Sequence, residues 1–271
     1  MNNFFQRTIT GTLYVGIIVL SIVFNTYTFA GLFLLITIFG LHEFYSMTGN
    51  GTFKRSARQG IVLGSLLFVL SYFIFSGKLS LHWYALLIPA FIGVYVLELY
   101  RKNSSPVENI AYTFFGVLYI AVPMSVLNYL VFYPLSGYQY NYDILLGMFI
   151  LIWGNDTFAY LTGQLMGKHL LFERISPKKT WEGFIGGTIF TLAIAWLISS
   201  LFQTFTLTDW LITGSIISVA GVFGDLTESM FKRAFNRKDS GTILPGHGGI
   251  LDRIDSLLFA APLIAAFLLI K

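Results

Sequence analysis

The sequence predicts an all-α, polytopic integral membrane protein with about nine transmembrane helices and a cytoplasmic N-terminus. Three observations carry that expectation. Only 11% of the 271 residues are charged and 55% are hydrophobic, whereas a soluble domain carries roughly 25% charged residues. Apolar runs near or above the ~17-residue minimum for a helical span recur along the whole chain, without the polar–apolar alternation of barrel strands. The lysines and arginines, finally, fall almost entirely into alternate connections, which sets an orientation.

The expected spans are 8–24, 26–45, 58–77, 82–100, 109–131, 142–167, 183–202, 209–231 and 255–270. The first and last sit near the short limit for crossing a bilayer. Residues 1–7, with Phe4 and Phe5 beside Arg7, suit an interfacial turn. No small-residue cleavage motif follows the first apolar run, so a retained first span is expected.

With the N-terminus inside, the inner connections hold Arg7; Lys54, Arg55 and Arg58; Arg101 and Lys102; Lys168, Arg174, Lys178 and Lys179; and Lys232, Arg233, Arg237, Lys238 and Arg253. Only Lys78 and Lys271 fall outside. The segregation follows the positive-inside rule and agrees with an odd number of spans, which places the C-terminus outside. The outer connections are short and nearly uncharged, so the working surface is cytoplasmic. The absence of cysteine excludes disulfides and thiolate metal sites, and no nucleic-acid partner is expected.

Polarity shifts along the chain. The first five spans carry few embedded polar residues, while the last four carry Asn155, Asp156, Asp225 and Glu228. The expected division is therefore a scaffold, 1–135, and a catalytic half, 136–271, with cytoplasmic loops 168–182 and 232–254.

Asp156 lies in an apolar run with Tyr160, Gly163 and Gly167 at helical spacing. A carboxylate there costs several kcal/mol unless it faces protein or water. Gly163 with Gly167, and Gly183 with Gly187, form small-xxx-small pairs suited to close helix packing. In the loop 168–182, either Ser176-Pro177 or Thr180 could start the next helix. A helix start beside Lys178 and Lys179 suits an anionic phosphate, and a plain positive-inside anchor is the alternative. Asp225, Glu228 or Ser229, and Lys232 share a helix face. That spacing suits a metal ion and a phosphate chain between Asp225 and Lys232 better than a direct salt bridge.

The stretch 229–255 is the most polar of its length. It mixes cations, Asp239, Asp252 and Asp255, His247, and glycines that let backbone N–H groups approach phosphate. No Gly-Lys-Ser/Thr is present, so it is not a Walker A loop. His247 has no neighbouring histidine, which argues against zinc. Asp252 and Asp255 offer hard oxygen ligands suited to Mg²⁺.

The pattern Ser229-x-Phe231-Lys232-Arg233-x4-Lys238-Asp239-x-Gly241-x2-Leu244-Pro245-x-His247-Gly248-Gly249-Ile250-x-Asp252-Arg253-Ile254-Asp255 resembles the signature of the phosphatidate cytidylyltransferase (CDP-diacylglycerol synthase) family. The stretches 176–183, SPKKTWEG, and 156–163, DTFAYLTG, also resemble that family. The resemblance implies that CTP and phosphatidic acid give CDP-diacylglycerol and pyrophosphate, with Mg²⁺ and with K⁺ as a candidate second cation. It implies a homodimer in the lipid bilayer of the cell inner (plasma) membrane, with its site facing the cytoplasm, and it matches Asp225 and Asp252 to metal-binding carboxylates. Residues and resemblance together give the candidate set. Asp225, Asp252, Lys232, Lys238, Asp239 and His247 are the expected catalytic residues. Lys178, Lys179, Thr180, Ser229, Arg233, Gly248, Gly249, Arg253 and Asp156 are expected to bind substrate, and Asp255 is a further metal candidate. Two rivals remain: a CTP-dependent transferase or kinase acting on an isoprenoid lipid, and a transporter. The second is disfavoured because the polar groups crowd one membrane face.

Overall fold

The computed structural model describes residues 3–48, 54–102, 105–134, 137–241 and 248–271, and among these the side chains of 9–48, 57–102, 105–134, 137–241 and 248–271. The protein is an all-α polytopic membrane protein, with one small hairpin among the described residues. Its helices are α1 (Asn3–Phe24), α2 (Thr26–Thr48), α3 (Lys54–Phe75), α4 (Leu87–Leu99), α5 (Pro106–Gly116), α6 (Val122–Val131), α7 (Asp143–Met166), α8 (Trp181–Ile198), α9 (Leu207–Ala234) and α10 (Leu251–Ile270). Among the described residues, eight helical stretches are long and apolar enough to cross a membrane, and α1 contributes a shorter apolar stretch, Ile9–Phe24. Each expected span thus meets a helix, and the last, expected near the short limit, is a 20-residue helix long enough to cross.

Two of these stretches are composite. A 3₁₀ segment, Leu81–Leu86, leads into α4, and α5 runs through a π segment, Val117–Ala121, into α6. Pro123 lies two residues beyond the π segment, as the second residue of α6. Proline has no N–H to donate, and its ring clashes with the carbonyl four residues back, so the helix widens there.

The chain divides into two compact units, residues 1–140 with 239–253, and residues 141–238 with 254–271. The loop 239–253 therefore groups with the N-terminal unit, although it lies in the C-terminal half of the sequence. In the first unit α3 packs on α2, α4, α5 and α6. Phe29, Phe33, Phe44, Phe68 and Met124 are fully buried there. The Tyr45 hydroxyl donates to the Thr113 carbonyl at 2.7 Å, tying α2 to α5. The Tyr140 hydroxyl donates to the Ile22 carbonyl at 2.6 Å. Burial, reinforced by the neighbouring Tyr72, pushes the Tyr140 phenol up, so it stays a neutral donor.

In the second unit α7, α8 and α9 pack on one another. The α7–α8 contact rests on small residues. A Cβ on Gly183 would lie 2.8 Å from the Ala159 carbonyl oxygen and 3.2 Å from the Gly163 Cα, closer than van der Waals contact permits, so the helices meet backbone to backbone. Phe158 and Phe190 stack beside this seam, with centroids 4.1 Å apart. Trp210 on α9 is fully buried and packs against Gly147 on α7. Thr206 caps α9 through a capping box. Its hydroxyl accepts from the Asp209 N–H at 3.2 Å, and Asp209 accepts from the Thr206 N–H at 2.9 Å.

Between α7 and α8 the chain forms an antiparallel hairpin of β1 (Leu170–Phe172) and β2 (Ser176–Thr180). Ser176 and Pro177 therefore sit in a strand, and of the two expected helix starts Thr180 is the cap. Its Oγ1 accepts from the Gly183 N–H at 3.1 Å. The expected loop 232–254 is also shorter at both ends, since α9 continues to Ala234 and α10 begins at Leu251.

Candidate active site

Within the second unit, α7, the hairpin, the start of α8 and the last turns of α9 enclose a cavity of about 600 Å³. That is within the roughly 300–1,000 Å³ typical of ligand pockets. Asp156, Tyr160, Gly163 and Gln164 line it from α7, Ser176, Lys178, Lys179 and Thr180 from β2, and Asp225 from α9. The helical spacing of Asp156, Tyr160 and Gly163 explains why α7 presents them together. β2 brings both lysines to the cavity and ends on the Thr180 cap, and the first-turn N–H groups of Trp181 and Gly183 donate to the His169 carbonyl at 2.9 Å and to the Thr180 hydroxyl at 3.1 Å. Cations, hydroxyls and a helix N-terminus in one cavity form an anion-binding environment.

Lys179 Nζ lies 2.5 Å from Asp225 Oδ2, and both side chains are about a third exposed or less. Ser229, one turn beyond on α9, donates from Oγ to Asp225 Oδ1 at 3.1 Å. Lys232 pairs directly with Glu228, Nζ to Oε2 2.9 Å. The two-turn gap between Asp225 and Lys232 is thus bridged by Glu228, an i,i+4 partner of Lys232.

Ligand oxygens of Asp225, Glu228 and Asp255 all lie within 4.8 Å of one another. Gly224 makes this convergence possible. A Cβ there would run into the Asp255 carbonyl, so α9 and α10 approach backbone to backbone beside Asp225. Ser256 bonds across the same contact to the Gly221 carbonyl at 3.5 Å. Three carboxylates this close repel one another unless cations sit among them. Lys179 and Lys232 supply two, and the all-oxygen donor set fits a hard divalent ion such as Mg²⁺.

The remaining candidates are not among the residues lining this cavity. Arg233 is exposed and donates to the Arg237 carbonyl at 3.4 Å, and Lys238 and Asp239 are exposed. In the first unit, Asp252 Oδ2 accepts from the Ser240 N–H at 3.2 Å, the Ser240 hydroxyl at 2.9 Å and the Gly249 N–H at 2.7 Å. Gly248 adopts a φ of 86°, which favours glycine. The Arg253 carbonyl accepts from the Tyr14 hydroxyl at 3.4 Å. His247 lies outside the described residues.

A sequence model of the cytidylyltransferase family matches residues 5–271. The chain belongs to the cytidylyltransferase family. It is 43% identical over 170 residues to a phosphatidate cytidylyltransferase of Staphylococcus haemolyticus strain JCSC1435. It is 42% identical over 170 residues to that of Staphylococcus aureus strain COL. Each match covers 62% of this chain and 62% of the relative, so the chain spans about three fifths of the relatives' length.

Membership in the cytidylyltransferase family does not by itself reveal two features that sequence reading missed. His169 and Glu182 pair, Nδ1 to Oε1 2.6 Å, and Glu182 also accepts from the N–H groups of Lys168 and His169 at 3.1 and 3.2 Å. Glu182 thereby ties the start of β1 to the first turn of α8. The second is Glu43 on α2, buried at 3% exposure. An isolated carboxylate in an apolar run was a visible signal for it.

Proposed function

We propose that the chain transfers the cytidylyl group of CTP to phosphatidic acid, giving CDP-diacylglycerol and pyrophosphate, at the cytoplasmic face of the bacterial inner membrane. The observation that carries this reading is the cavity in which Lys178, Lys179, the Thr180-capped start of α8 and Asp225 converge. The relatives' names point to the same chemistry. The cytoplasmic orientation rests on the segregation of cations to one side. The same reading includes a homodimer and K⁺ as a second cation.

The phosphate monoester of the lipid has a second pKa of about 6, so it is largely dianionic at neutral pH. Its oxygen attacks the α-phosphorus of CTP, a new P–O bond forms, and the bond from that phosphorus to the bridging α–β oxygen breaks, releasing pyrophosphate. No general base is needed. The protein must bring two polyanions together and hold them in line. Lys178 and Lys179 neutralise phosphate charge, and the Thr180 hydroxyl, at the positive end of α8, orients phosphate oxygens. Lys179 exchanges its contact with Asp225 for one with phosphate as CTP enters. Asp225, with Glu228 and Asp255, would hold Mg²⁺, and the family resemblance assigns Asp252 a metal-binding role as well. When bound, the ion supplies Lewis-acid stabilisation of the leaving pyrophosphate.

The test is turnover of purified protein with CTP, Mg²⁺ and either phosphatidic acid or an isoprenoid alcohol. CDP-diacylglycerol from phosphatidic acid is the expected product. A product from the isoprenoid alone overturns the choice of acceptor, and vesicle uptake without nucleotide turnover overturns the enzymatic reading.

A further inference from the structure

Glu43 is a buried carboxylate that the chemistry above does not use. Its Oε2 accepts from the Leu251 N–H at 3.0 Å, the first residue of α10, and from the Ser240 hydroxyl at 3.3 Å. Its Oε1 is buried and has no hydrogen-bond partner among the described residues. Both described ends of the 239–253 loop close on this one side chain. A Cβ on Gly241 would collide with Glu43 Oε1, and a Cβ on Gly249 would lie 2.5 Å from Oε2 and collide with Ser240 Oγ. The sequence suggested that these glycines let backbone approach phosphate. In the structure they let the loop backbone approach a carboxylate from α2.

Ser240 links Glu43 to Asp252. Its Oγ lies 3.3 Å from Glu43 Oε2 and 2.9 Å from Asp252 Oδ2, and a hydroxyl carries one proton, donated to one acceptor at a time. Removing Glu43 therefore frees the Leu251 N–H, the first orphan donor of α10. It also removes the wall against which Ser240 and Gly249, two of the groups holding Asp252, are packed. We propose that Glu43 is a positioning residue for this reaction, fixing the loop ends and, through Ser240 and the first turn of α10, the orientation of the Asp252 carboxylate. The proposal rests on the function stated above for the role of Asp252.

The experiment compares the full-length wild type with Glu43→Ala, Glu43→Gln and Ser240→Ala in detergent, by hydrogen–deuterium exchange and by steady-state kinetics with CTP, Mg²⁺ and phosphatidic acid. Glu43→Ala is expected to speed exchange in peptides covering 240–252 while peptides from α7 to α9 stay unchanged. Its kcat is expected to fall about tenfold or more, as for loss of a group orienting a metal ligand, with KM for CTP within about twofold. Glu43→Gln keeps an oxygen acceptor and is expected to recover part of both. Ser240→Ala is expected to move both readouts in the same direction, and its effect is expected to add little to that of Glu43→Gln in the double variant. Should Glu43→Ala fail to fold, Glu43→Gln and Ser240→Ala decide the matter. Unchanged exchange across 240–252 overturns the positioning role whichever reaction the wild type performs. Faster exchange with unchanged kcat reduces Glu43 to an anchor and overturns it too. A wild type inactive on phosphatidic acid counts against the proposed function, while the exchange result still decides whether Glu43 holds the loop.

Discussion

Asp225 meets three different groups: the Lys179 ammonium, the Ser229 hydroxyl and the neighbouring carboxylates Glu228 and Asp255. A side chain so placed can exchange one cation for another at little cost, since the amine and a metal ion satisfy the same oxygen. Lys179→Ala removes the charge proposed to neutralise phosphate, and KM for CTP is expected to rise about tenfold, equivalent to about 1.4 kcal/mol, with a smaller change in KM for the lipid. An unchanged KM for CTP in steady-state kinetics would leave β2 as a headgroup anchor. Much of this constellation is legible in the sequence, because Asp225, Ser229 and Lys232 share a helix face and Lys178–Lys179 precede a cap. The direct Lys232–Glu228 pair was within reach of the same i,i+4 rule. The carboxylate of Glu43 was visible in its apolar run, but its contacts were not, because Ser240 and Leu251 lie about two hundred residues away in sequence and nothing local encodes them.

The hairpin and the start of α8 act together. β2 presents the lysines, Thr180 ends the strand and caps the helix, and Glu182 fastens the first turn to the backbone of Lys168 and His169. Thr180→Ala removes the acceptor for the Gly183 N–H and is expected to cost about 1 kcal/mol of stability, with a rise in KM for CTP. Unaltered thermal unfolding in detergent and unaltered kinetics would show that the cap does not order the phosphate site. Gly183→Leu is the harsher change. The seam with Ala159 and Gly163 has no room for a side chain, and loss of folded protein on size-exclusion chromatography is expected. Hydropathy located these helices within a few residues, but the strand character of Ser176–Thr180 was hidden. Five residues containing a proline and two lysines carry no alternating apolar pattern, and only pairing with Leu170–Phe172 makes them a strand.

Hydropathy and the distribution of cations were enough to read an all-α membrane protein, because a span needs apolar length whatever it packs against. The division into units was less accessible. Residues 239–253 lie between α9 and the body of α10 in sequence yet group with the N-terminal unit, and long-range contacts of the Glu43 kind decide that. The chain has no cysteine, so single-cysteine variants can report orientation directly. Arg237→Cys is expected to react with a membrane-impermeant maleimide only in inside-out vesicles, and Ser80→Cys only in right-side-out ones. Labelling with the opposite pattern would put the cavity on the wrong side for cytosolic CTP. The proposed function places turnover of CTP onto a lipid phosphate at the Asp225 cavity. Its most direct test is quantitation of CDP-diacylglycerol and pyrophosphate formed from CTP and phosphatidic acid by the wild type and by folded Asp225→Asn. Equimolar products from the wild type and a loss of about 10²–10³-fold in kcat for the variant are predicted. A wild type that forms neither product, or an Asp225→Asn protein with near-normal turnover, would contradict it.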